Sequence, residues 1–218
     1  MISKMLSVVL VLFLATGFSP AVTAHDESLV PSGEPLVKPD DSKTDEKKSD
    51  VCKTPILISS VDSDELFKAF LHIKKCARPD GDKLDVYVSG MGGDPGDAQA
   101  FFDRMRATGL NHRVRFIAYG FIASASNIVW MAADERVVTP QSVFILHKAR
   151  VVFDDDPELG VSVKNNLLQE TVKSFRLAAG EKAAHLWEQS CTGKIAASAL
   201  SSDEAIQNGW ATRLENYK

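Results

Sequence analysis

Two serines, Ser124 and Ser126, open an otherwise apolar run, GFIASASNIVWMAADERVV, from Gly120 to Val138. A hydroxyl where a strand hands over to a buried helix has two uses. It accepts a backbone N–H and caps the helix, or it is lifted on the turn as a nucleophile. The second use needs a base, because free serine is a poor nucleophile at neutral pH. His147 is the candidate base, ending SVFILH, which is apolar up to that point. A histidine there also serves structure alone. The other histidines are less apt: His25 lies in a polar stretch, His72 and His185 on helical patterns, and His112 in a polar turn. The loop SGMGGDPGD places consecutive glycines after a strand, where backbone N–H groups can approach a ligand closely. With the N–H of Ala125 they can form an oxyanion hole, or the pair can be an ordinary turn. A phosphate loop fails on detail, since neither GK[ST] nor a GxGxxG with a matching acid is present. Metal sites fare no better, with no HExxH and no CxxC. No cofactor is expected.

These residues need elements to bring them together. ILIS from Ile56, KLDVYVSG and RVRFIAYG read as strands, followed by ERVVT and SVFILH. SDELFKAFLHIKKCA reads as a helix that Ser63 can cap, with Asp64 and Glu65 in its first turn. AQAFFDRMRATG is a second helix, and ASASNIVWMAA a third, apolar on nearly every face and hence buried. From Val161 the chain is mostly helical, ending in a short helix at SSDEAIQNG and a strand at WATRLE. Strands alternating with helices predict an α/β domain with a largely parallel sheet. Ligands of such sheets collect at the carboxyl ends of strands, where the glycine loop, the Ser124 turn and His147 all fall.

The chain has 218 residues and a net charge of −4. Met1 to Ala24 reads as a cleaved secretory signal, with Lys4, an apolar core from Met5 to Phe18, and AVTA as cleavage site. That core is too short to span a bilayer, which takes about 20 apolar residues. An exported, periplasmic or secreted protein with no stable membrane span is expected. Residues 25–50 are rich in Asp, Glu, Lys, Ser and Pro and read as a disordered linker. Residues 51–218 form one domain. With no basic stripe, nucleic acid is not the expected partner. Cys52 precedes the first strand and Cys76 ends the helix after it. Going out along a strand at about 3.3 Å per residue and back along a helix at about 1.5 Å returns the chain to the same end. A Cys52–Cys76 disulfide with Cys191 free is therefore predicted, against three buried thiols as the alternative.

The order SGMGG (Ser89–Gly93), GFIAS (Gly120–Ser124), FILH (Phe144–His147) resembles the Clp-type serine peptidases of the crotonase-like superfamily. LSSDEAIQNGWAT resembles the same family's ending, and the likeness runs from Ile56 to Leu214. The resemblance implies a ClpP/crotonase-like α/β fold of repeated β-β-α units, with a mostly parallel sheet and a helical C-terminal portion. It implies Ser124 as nucleophile, His147 as general base, and the N–H groups of Gly93 and Ala125 as oxyanion donors. Ser126 falls to packing or capping. Self-association into a homo-oligomer and a peptide or unfolded-protein substrate are implied too. An ATP-driven unfoldase is not expected for an exported chain. Two departures stand out. Met91 replaces the family's proline, and the family's acid, seven residues before Glu204, falls on Ala197. Asp154 to Asp156 or Asp203 can substitute, or a dyad operates, or the protein is a non-catalytic binding or assembly protein. A crotonase-type acyl-thioester enzyme is a third class, against which GFIAS and FILH speak.

Overall fold

The computed structural model describes residues 51–150 and 157–216. Short strand β1 (Ile56–Ile58) is followed by α1 (Ser63–Cys76), β2 (Leu84–Gly90) and α2 (Pro95–Ala107). After a single 3-10 turn come β3 (Val114–Ala123), α3 (Ser126–Trp130), β4 (Glu135–Val138) and β5 (Val143–Leu146). The C-terminal part adds α4 (Pro157–Ala179), α5 (Glu181–Thr192), β6 (Ser198–Leu200), α6 (Ser202–Gln207) and β7 (Arg213–Leu214). The strands form one sheet in the order β1-β2-β3-β4-β7, parallel throughout, with β5 also parallel to β3 and β6 antiparallel to β5. This is the expected mixed α/β fold.

Strand β3 has two sets of neighbours. Its first half pairs with β4 at Arg115–Ile117 and its second half with β5 at Phe121–Ala123. Gly120 lies between them at φ 78°, which side-chain-bearing residues avoid. Against β2 the register slips there, from Val88 opposite Ala118 to Gly90 opposite Ile122. The extra residues on β3 make a bulge that turns the strand toward β5. The core alternates along the first half, with Val114, Phe116 and Ala118 buried.

The helices differ in detail from the sequence pattern. Asp62, not Ser63, caps α1, its carboxylate accepting the Glu65 N–H at 2.9 Å. A charged acceptor outcompetes the hydroxyl next to it. The buried run is helical only over Ser126–Trp130, because Ser124 and Ala125 belong to the turn before it. Its five residues are all buried, as the sequence predicts. The C-terminal segment is tied down by Arg136, which donates to the carbonyls of Ala133, Trp210, Ala178 and Gly209 at 2.7–3.2 Å. Burial pushes its pKa down to about 10, so it stays charged at neutral pH. Cys52 and Cys76 are joined by a disulfide and Cys191 is free and buried. Among the described residues, no helix is long and apolar enough to cross a membrane. The signal and linker readings, over residues 1–50, lie outside the described residues.

Candidate active site

The β2 loop comes first. Asp94 caps α2 through the N–H groups of Gly96 and Asp97, and its own N–H bonds the Val61 carbonyl at 2.9 Å. Those bonds fix the path of Gly92 and Gly93 before it. A Cβ on Gly92 would lie 2.6 Å from Cβ of Ser124, so only glycine lets loop and serine approach this closely.

Ser124 follows the last residue of β3. Its φ is 52°, and among the described residues it is the only one besides glycines with positive φ. A left-handed conformation costs an L-residue roughly 1–2 kcal/mol. The surroundings hold it there: its N–H bonds the Ile145 carbonyl at 3.1 Å, and its carbonyl accepts from the Asn127 N–H at 3.1 Å. The N-cap of α3 is Ala125, with no side-chain cap, and the Ser124 hydroxyl has no hydrogen-bond partner among the described residues. Capping is thus not what this hydroxyl does. Ser126 does not cap either; it is buried with an unpartnered Oγ beside Gly90.

His147 follows β5, half-buried, and its Nδ1 lies 2.9 Å from the Lys148 carbonyl. A carbonyl only accepts, so Nδ1 carries a proton, and in the neutral ring Nε2 is the nitrogen with the lone pair. Ser124, Ala125, Gly93 and His147 all line one pocket of about 110 Å³. Outside the strands and helices, the N–H groups of Gly93 and Ala125 have no backbone partner among the described residues. The pocket therefore joins a free hydroxyl, an imidazole with a basic nitrogen, and two free N–H donors. Its wall includes Ile128, Leu167, Leu168 and Trp187, with Arg150 and Lys164 as its two basic side chains. Cys191 also lines it; burial pushes the thiol up to about 12 against the pull of Lys164, so it is neutral and unreactive there.

No carboxylate among the described residues lines this pocket. Ala197 is exposed, and Asp203 is exposed on α6, away from the pocket. Asp154 to Asp156 lie outside the described residues. The β5–β6 ladder pairs Leu146 with Ser198 in antiparallel register. The ladder ends there, one residue short of His147 and Ala197, and Ala197 does not line the pocket. The Lys148 carbonyl holds Nδ1 instead.

The sequence reading missed Asn127. Its Nδ2 donates to the Ser124 and Ile145 carbonyls at 3.0 and 3.2 Å, while its Oδ1 accepts from Trp210 Nε1 at 2.9 Å. It locks the serine turn to β5 and to the C-terminal segment. An amide inside an apolar run was the available signal. Of the other histidines, His72 meets the Val51 carbonyl and His112 pairs with Asp134, both away from the pocket. No group of three His, Cys, Asp or Glu among the described residues can hold a metal.

The family model described as Clp protease matches residues 57–210. Among solved structures, the chain is similar to ClpP1 of Listeria monocytogenes, at 14% identity and a TM-score of 0.59, covering 80% of this chain and 97% of that one. A point mutant of the same ClpP1 superposes at 13% identity and a TM-score of 0.61, covering 79% and 97%. At such identities these structures carry the fold alone. No curated protein matches the chain.

Proposed function

Because this chain belongs to the Clp protease family, we propose that it is a serine hydrolase that cleaves peptides through a Ser124–His147 dyad. The supporting observation is the pocket that gathers Ser124, His147, Gly93 and Ala125 around one cavity. In the proposed reaction Ser124 Oγ attacks the substrate carbonyl while His147 Nε2 takes its proton. The N–H groups of Gly93 and Ala125 stabilise the oxyanion. His147 then returns the proton to the leaving amine, and water hydrolyses the acyl-enzyme with the same histidine as base. The Ser124–His147 hydrogen bond closes when substrate excludes water, as catalytic contacts in empty sites often tighten on binding. The Lys148 carbonyl keeps the tautomer but supplies no negative charge for the imidazolium. Turnover below that of a full triad follows, since disabling the acid of a triad costs about 10⁴.

Hydrolysis of short or unfolded peptides tests the reading. Ser124→Ala and His147→Ala should each lose activity by about a thousandfold or more. Wild-type activity that survives both changes overturns it. One observation favours a second reading, a non-catalytic binding or assembly protein: no described carboxylate lines the pocket. That reading predicts no hydrolysis by any form.

We further propose that the protein is exported and works without an ATP-driven partner, on substrates already short or unfolded. The signal-like residues 1–24 and the Cys52–Cys76 bond support export. The exported chain should begin at His25; a chain still beginning at Met1 contradicts cleavage.

A further inference from the structure

The pocket around Ser124 has two positive side chains and, among the described residues, no negative one. Lys164, Leu167, Leu168 and Thr171 line it at helical spacing, so a single stripe of α4 faces the cavity. The stripe's partners across the pocket, Ile128 and Trp187, are apolar and buried. An apolar residue is what helix amphipathicity calls for at position 164, and a lysine stands there. Arg150, an exposed residue that also lines the pocket, adds a second cation. Neither side chain forms an ion pair among the described residues, although Lys83, Arg106, Lys173, Arg176 and Arg213 do. A half-buried ammonium against apolar surface gives up hydration with nothing in return. A bound anion returns it through charge-assisted hydrogen bonds, bidentate in the case of arginine.

We propose that Arg150 and Lys164 form a carboxylate subsite, selecting peptides that carry a carboxylate close to the scissile carbonyl, next to an apolar side chain that packs on Trp187 and Leu168. The carboxylate belongs either to the peptide's C-terminus or to an acidic side chain. The inference takes its substrate class from the proposed peptidase reading, but binding does not require turnover.

Binding of labelled peptides to full-length Ser124→Ala protein, followed by fluorescence anisotropy, separates the two. One peptide pair differs only in a free or amidated C-terminus, the other only in Glu or Gln beside the apolar residue. The carboxylate member of at least one pair should bind about tenfold tighter, as one charge-assisted hydrogen bond provides. Which pair discriminates tells terminal from side-chain recognition. Raising the salt should compress the preference. Adding Lys164→Met, which keeps the apolar stem, together with Arg150→Gln should remove it. Equal affinities in both pairs, or a preference that survives the double substitution, overturn the subsite. Discrimination by this protein with no hydrolysis by wild type would leave the subsite standing and remove the peptidase reading.

Discussion

At the residue scale the deciding feature is the backbone of Ser124. A serine held at φ 52° whose hydroxyl neither caps nor pairs is paid for by the bonds around it. Strain of this kind gathers where a side chain must be presented rather than packed. Gly92 carries the complementary constraint, because any side chain there meets Ser124 Cβ at 2.6 Å. Gly92→Ala should therefore displace the serine. A misplacement near 1 Å costs about 100-fold in rate, so peptide hydrolysis should fall by that order while far-ultraviolet circular dichroism stays native. Unchanged hydrolysis would mean that the loop and Ser124 do not act together. Ser124 and His147 stood out in the sequence as candidates because a nucleophile and a base need side chains of fixed type, and both line one pocket. The group behind His147 did not stand out, since every residue has a carbonyl and only the fold selects that of Lys148.

At the element scale, the site is a product of strand register. Strand β3 delivers Ser124 because its second half bends to pair with β5, which ends beside His147. The parallel sheet followed from alternating apolar runs and glycine turns, whereas its strand order and the short strand β6 came only from the fold. Helix limits did not follow either, because Asp62 displaced Ser63 as a cap and the turn at Ser124 consumed the start of α3. Register gives a direct prediction. Continued one residue beyond the Leu146–Ser198 pair, that register would set position 197 across from His147. Ala197→Asp should raise kcat by about tenfold or more, part of the 10⁴ that the acid of a triad supplies. A folded variant with unchanged or lower kcat would show that the Lys148 carbonyl already does what an acid can do there. Asn127 ties three elements to this register: the serine turn, β5 and the C-terminal segment. Its role was hidden because the sequence shows an amide but not the carbonyls it meets.

At the scale of the whole molecule, the pocket draws on nearly every part of the chain: the β2 loop, the β3 turn, the end of β5, and helices α4 and α5. Among the described residues, the outer segments are fastened to that frame. Arg136 holds the carbonyls of Gly209 and Trp210, and the Cys52–Cys76 bond ties the segment before the first strand to the end of α1, 24 residues on. Closing a loop of that length stabilises a fold by about 3 kcal/mol in the chain-entropy account. The two basic side chains of the pocket were invisible in sequence, because α4 brings Lys164 to the cavity only through tertiary packing. The central claim is that this pocket makes Ser124 a nucleophile. Intact-mass measurement after treatment with a fluorophosphonate probe addresses it most directly. One adduct per chain is predicted on the wild type, mapped to Ser124 and absent from Ser124→Ala; no adduct on the folded wild type, or equal labelling of both, would contradict it.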